Sequence, residues 1–424
     1  MANDQFIYRT FKQQIRSQQA DSESPAHTGQ KSTLSEQDIR LSVGKMDVFN
    51  YALYQNGVPP VRGIRILNNT DLPVGGLALR ISSDFAFFHP FEAELSQLPP
   101  GRGKPVTLED PALVIDGKLL AGITETVNTM VTVELLHEGT TICSCREQMM
   151  VLAYDQWQGS ESYRDILPAF VLPNHPAIPA LMHDAAGRLK KWGKPSSLEG
   201  YQMQDPNRVR DLAAAAYAAI QKSNIVYAEP PASFSIAGQR IRTPETILDQ
   251  HLGTCMDMTL LYAAVLEGMG LHPLLVMMKG HIFAGVWLRE RSLEELKSSN
   301  VVIDSLQELT KRIDNGSDEM TFVECTAMCS GEQVSFEEAE RVAKWGRLGN
   351  PDAFRFAIDV YMARLQGIRP LPSRVRDGAG LSIRADEIRE SEITEAPKNL
   401  GISISEVSTS LAAPKKISNN ENFA

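Results

Sequence analysis

Three residues of this chain sit where a thiol hydrolase would need them: Cys255, His281 and Glu324. Cys255 lies in His251-Leu252-Gly253-Thr254-Cys255-Met256-Asp257-Met258, at the start of an apolar helical run. His281 opens His281-Ile282-Phe283-Ala284-Gly285-Val286-Trp287-Leu288, which reads as a strand, and Glu324 lies in the strand-like run Phe322-Val323-Glu324-Cys325-Thr326. Cysteine, histidine and carboxylate in that order suggest a nucleophile, its base and the group that orients the base. A helix N-terminus supplies partial positive charge and unpaired N–H groups that favour thiolate over thiol. A carboxylate on the far ring nitrogen would set the histidine tautomer and aim the ring at sulfur. The backbone N–H of Cys255 could meet a tetrahedral oxyanion, and Gln250, five residues upstream, is the candidate for a second donor.

Each residue has a plainer reading. A free cysteine packs well as a small hydrophobe, so Cys255 could be a buried structural thiol. His281 could be a satisfied histidine beside a turn, and Glu324 an exposed residue on an alternating strand. Asp304 and Asp257 are the alternatives for the third position. His251 is a competing base, disfavoured because it precedes the turn. Trp287 suits the core, although Phe283, Gly285 and Trp287 would share a strand face with His281. Neither Cys255 nor His281 has a second Cys or His at i+3 or i+4, so no metal site and no cofactor are expected.

Gly253-Thr254-Cys255, Gly280-His281-Ile282-Phe283-Ala284 and Glu324-Cys325-Thr326 resemble the three blocks of the transglutaminase-like branch of papain-fold proteins, over roughly residues 205 to 330. Ile282 stands where alanine is common, and Glu324 where aspartate is usual. A broader resemblance runs from about Val43 to Pro372, carried by Asn50-Tyr51-Ala52-Leu53-Tyr54-Gln55-Asn56-Gly57-Val58-Pro59, Leu172-Pro173-Asn174-His175-Pro176 and Phe354-Arg355-Phe356-Ala357-Ile358-Asp359. It is to the amino-terminal half of large bacterial proteins that continue into a superfamily-1 helicase and a nuclease-like domain. What this implies is a cysteine hydrolase or acyltransferase acting on a peptide or isopeptide amide, with a role in defence against foreign DNA. The chain has no Walker A motif. The rival expectation is a catalytically silent interaction module that recruits a helicase or nuclease as partner.

Composition sets outer bounds. A length of 424 residues leaves room for two or three domains. A formal charge of −10 opposes direct nucleic-acid binding by the chain as a whole. The short basic stretches 188–194 and 341–347 are candidates for a local basic patch, and both are short enough to be merely solvated helix faces. Five cysteines, with Cys143 and Cys145 two apart on a strand and Cys325 and Cys329 lacking a matching pair, form neither a disulfide framework nor a zinc site. No acidic loop has EF-hand spacing. The polar start and the lack of a long apolar run predict no membrane span and a cytoplasmic location.

The elements that must position the three residues follow from periodicity and turn signals. Residues 1–41 are expected to be disordered or partly helical, with Phe6–Ile15 the helical part and Ser22–Leu34 disordered. Residues 42–155 read as an antiparallel β-sandwich of immunoglobulin-like type, with strands over 61–67, 77–82, 85–88, 105–108, 126–136 and 149–152. Residues 156–372 read as the transglutaminase-like, papain-like α+β domain with flanking helices. Its expected helices are 177–192, 206–223, one opened by Thr243-Pro244-Glu245, 255–269, 293–299, 306–314, 335–347 and 351–366. Lys279-Gly280 would link two strands as a hairpin. Residues 373–424 are expected to be a disordered tail. The predicted fold class is α+β.

Overall fold

Residues 127–137 alternate buried and half-exposed side chains through Thr129, Val131, Val133 and Leu135, a period of two that a half-buried strand requires. The computed structural model describes residues 34–383 apart from 45–46, 102, 160–162, 230–237, 315–318, 332 and 378–379, together with Arg9–Thr10. In it Val127–His137 pairs antiparallel with Thr140–Val151. Glu138 and Gly139 between them take φ of 49° and 79°, a turn whose twist matches its strands. Leu77–Ser83 and then Phe91–Glu94 continue this sheet on one side, and Val48–Phe49 closes the other edge in parallel. A second sheet holds Ile39–Gly44, Arg62–Asn68 and Val106–Thr107. Ile64 and Ile66 from it join Leu79, Ile81 and Val133 from the first in one core.

Two expectations for this region change. Phe85–Phe88 is not a strand: the adjacent Phe87 and Phe88 are both buried, which breaks the alternation, and Phe88 makes only an isolated bridge to Ile115. Arg9–Thr10, expected within a helix, pairs with Ala93 and Glu94 instead. The stretch Ser22–Leu34 falls almost wholly outside the described residues.

Beyond Trp157 the architecture is helices against a five-stranded antiparallel sheet, so the chain is α+β. The sheet order is Val302–Ile303, Phe354–Asp359, Pro273–Met278, His281–Trp287, Met320–Val323. The Cys255–Gly268 helix is buried from Cys255 to Leu266, as a helix apolar on every side must be. It packs against that sheet, with the Thr259 hydroxyl donating to the Ile282 carbonyl at 3.2 Å. On the other side lie the helices Ile178–Lys191 and Pro206–Gln221, where the Tyr262 hydroxyl donates to the Ala213 carbonyl at 2.9 Å. A smaller apolar cluster with Leu274, Phe283, Trp287 and Phe322 covers the opposite sheet face.

The helix expected over 351–366 is the main correction here. Phe354–Asp359 forms a strand between Pro273–Met278 and Val302–Ile303, and only Val360–Leu365 is α-helical. Phe356 and Ile358 face one apolar layer and Ala357 the other, so pairing and burial on both faces override local helix preference. The helix expected over 335–347 is α-helical for Phe336–Arg341 and continues as a wider π-helical segment, Val342–Arg347. The tail expected from 373 instead begins with an antiparallel pair, Arg374–Asp377 with Gly380–Ile383. The Arg374 guanidinium lies 4.3 Å from the centre of the Tyr154 ring, an anchor that composition does not reveal. The rest of the tail lies outside the described residues, as does the Asn315-Gly316 turn. Among the described residues no helix is long and apolar enough to cross a membrane.

Candidate active site

The Cys255 helix starts where local chemistry dictates. Thr243 caps a short helix, Pro244–Gln250, with proline in its first turn. His251 ends it at φ 49°, and Leu252–Gly253 then pairs in parallel with Val226–Tyr227. Gly253 packs closely here, since a Cβ on it would come within 2.9 Å of the Met258 sulfur and push that side chain aside. Thr254 and Asp257 form a capping box: the Thr254 N–H donates to Asp257 Oδ2 at 3.0 Å, and the Asp257 N–H donates to Thr254 Oγ1 at 3.2 Å. Arg242 braces the buried Asp257 through its guanidinium and its backbone N–H, each at 2.8 Å. Cys255 is therefore the first residue of a helix whose start is pinned, and it is only 4% exposed.

Sheet register brings the other two residues together. Gly280, at φ 73°, turns the hairpin so that His281 begins its strand opposite Met278. Ala284 pairs with Val323, so Glu324 comes level with Phe283 at the His281 end of the sheet. The His281 Nε2 lies 3.0 and 2.9 Å from the two oxygens of Glu324. The Cys255 thiol is a close neighbour of the His281 ring and favours its charged form. Glu324 accepts further bonds from the Thr326 hydroxyl at 2.8 Å, the Thr326 N–H at 3.2 Å and Arg347 Nε at 2.7 Å.

The electrostatics follow from those contacts. Burial disfavours the charge on Glu324, but His281, Arg347 and Thr326 outweigh it and hold the carboxyl down at about 2. Burial likewise favours a neutral His281. The neighbouring Cys255 together with the bond to Glu324 and its charge overcome that and push the ring up to about 9, with Arg347 pulling the other way. At neutral pH the pair is thus imidazolium and carboxylate.

The remaining expected residues lie elsewhere. Asp304 is 64% exposed and pairs with Arg164 at 2.7 Å. Asp257 is consumed by the helix cap and Arg242. Gln250 is exposed at the end of its helix. His251 is exposed, with Nδ1 2.8 Å from the Ser223 carbonyl. Trp287 is core: its indole N–H donates to Asp359 at 3.0 Å. All five cysteines are free, and among the described residues no group of three or more Cys, His, Asp or Glu side chains could hold a metal.

Two site residues escaped the sequence reading. Tyr227, in what reads as a plain extended stretch, pairs with Gly253, and its hydroxyl is a close neighbour of the Cys255 thiol. Burial and the neighbouring Cys255 push that hydroxyl up to about 12. Arg347, assigned to a solvated face, instead pairs with Glu324. Tyr227, His281 and Arg347 line a cleft of about 320 Å³, with Cys329, Ser330 and Val334 on its wall. Burial, with Glu324 adding to it, pushes the Cys329 thiol up to about 11. No family model matches this chain, and neither does any curated protein.

Proposed function

We propose that this protein is a cysteine hydrolase or acyltransferase acting on a peptide or isopeptide amide. The observation that carries the proposal is a single imidazole, His281, bonded to the Glu324 carboxylate and neighboured by the Cys255 thiol, which sits at a capped helix start. The Cys255 sulfur attacks the amide carbonyl, and the imidazolium protonates the leaving amine. Water or an amine then attacks the resulting Cys255 thioester as His281 takes its proton, and the C–S bond breaks to free the sulfur, giving hydrolysis with water or transfer with an amine. Glu324 keeps the ring aimed and stabilises its charge. The Cys255 backbone N–H at the helix start and the Tyr227 hydroxyl beside the thiol are the candidate donors to an oxyanion, with Gln250, exposed at the end of its helix, a third.

A capped helix bearing the cysteine and an antiparallel sheet bearing histidine and carboxylate support the transglutaminase-like, papain-like reading of residues 156–372. The two β-sheets sharing one core support an immunoglobulin-like sandwich before it. The competing reading, a silent module that recruits a helicase or nuclease, draws on the near-complete burial of the Cys255 thiol. The pH dependence of Cys255 alkylation by iodoacetamide, located by peptide mapping, separates the two. Rapid labelling below about pH 7 that is lost in His281→Ala supports the hydrolase. Labelling that rises only near a free thiol's pKa of about 8.5 favours the silent module.

A further inference from the structure

Among the described residues, the candidate cleft sets cationic side chains into the surface of an acidic chain. The protein has a formal charge of −10, yet the ionisable nitrogen groups on the cleft wall are His281 and Arg347. Glu324 is 3% exposed and already engaged by His281, Thr326 and Arg347. Glu229, near Tyr227, is exposed and not part of the cleft wall. Arg347 spends one donor, Nε, on Glu324, while its side chain remains 39% exposed on the cleft wall. No other hydrogen bond of its guanidinium occurs within the described residues, so the fork of terminal N–H groups is free to receive a planar anion. The hydroxyl of half-exposed Ser330 lies on the same wall.

We propose that the substrate carries a carboxylate beside the reacting amide and that Arg347 binds it. The carboxylate is either the chain terminus or an acidic side chain next to the scissile bond. The proposal rests on Cys255 being the reacting group. It assigns Arg347 two jobs, holding Glu324 with Nε and selecting an anionic substrate with its terminal nitrogens. A neutral substrate of the same shape would leave those donors unmatched.

The test uses paired alkylating probes on the full chain, with Cys255 labelling read by peptide mapping. Iodoacetate and iodoacetamide each place a carbon on the Cys255 sulfur and release iodide, and they differ in charge. Their rate ratio cancels any change in the nucleophilicity of the thiolate itself. We expect the iodoacetate-to-iodoacetamide ratio to fall about tenfold in Arg347→Gln, the usual weight of one charge-assisted hydrogen bond, and to recover in part in Arg347→Lys. An unchanged ratio in Arg347→Gln overturns the proposal.

A second comparison needs no variant. Chloroacetyl-glycine against chloroacetyl-glycinamide reads a terminal carboxylate, and chloroacetyl-glutamate amide against chloroacetyl-glutamine amide reads a side-chain one. Faster labelling by the acid in one pair supports the proposal and identifies the source, and no acid preference in either pair overturns it. Should Cys255 react only as an ordinary thiol, the hydrolase reading falls. The same ratios taken at about pH 9, where such a thiol is ionised, still report on Arg347.

Discussion

Glu324 and Asp359 are two buried carboxylates, one at each end of the His281–Trp287 strand, and each is met by an arginine and a ring N–H. Asp359 accepts from the Trp287 indole at 3.0 Å, pairs with Arg291 at 2.8 Å and caps the Val360–Leu365 helix through the Met362 N–H at 3.0 Å. Arg291 is 2% exposed and lies 4.2 Å from the centre of the Trp287 ring. Burial pushes the Asp359 carboxyl up and the Arg291 guanidinium down, even though they are paired. At the other end Glu324 is held low, its ring partner titrates, and its arginine reaches a cleft. Like ingredients therefore make a sealed structural pin at one end and a candidate site at the other. The difference lies in whether the ring can exchange a proton and whether solvent or substrate can arrive.

Breaking the sealed end should have the largest effect. Asp359→Ala leaves Arg291 buried without its counter-charge and should cost about 3–5 kcal/mol in urea unfolding, with Cys255 labelling per folded molecule unchanged. At the open end, His281→Ala should slow Cys255 alkylation at pH 6.5 by about 100-fold while the protein stays folded, since the imidazole beside the sulfur is gone. A comparable slowing in Asp359→Ala would erase the distinction between the two ends.

Glu324→Gln sharpens the comparison through pH. His281 titrates at about 9 against an ordinary 6.5, so its contribution to stability is whole below 6.5 and is lost as pH rises through about 9. Glutamine cannot hold the imidazolium, and the alkaline slope of a denaturation series should flatten over that window. Glu324, at about 2 against 4.5, contributes stability above 4.5 that is lost as pH falls toward 2. The same variant should therefore flatten the acid limb. Asp359 is shifted upward, so its contribution falls as pH rises, and Asp359→Asn should leave that acid limb in place. The smallest effect is expected from Tyr227→Phe, which removes the hydroxyl beside the sulfur and should slow labelling at pH 7 by about threefold.

Much of the scaffold around the site was legible in the chain. Thr243-Pro244 announces one helix, Thr254 caps the next, and the apolar run after Cys255 marks a helix buried all round. Lys279-Gly280 between two apolar stretches places His281 at a strand start. These features are local: a cap, a turn and a periodic apolar run act over a few residues, and the side chains that decide them are adjacent in sequence. What lay outside sequence reading depends on segments far apart in the chain. Three carboxylates could have met His281, and the pairing of Ala284 with Val323 delivers Glu324, while Asp257 goes to Arg242 and Asp304 to Arg164. The parallel pairing of Val226 with Leu252 brings Tyr227 to the thiol, and the π-helical segment after Arg341 ends at Arg347 beside Glu324. Phe354–Asp359 becomes a strand because neighbours on both sides pair with it and apolar layers cover both its faces. Composition and periodicity determined where the nucleophile and its base begin their elements. Register and burial, which no local pattern encodes, decided which groups surround them.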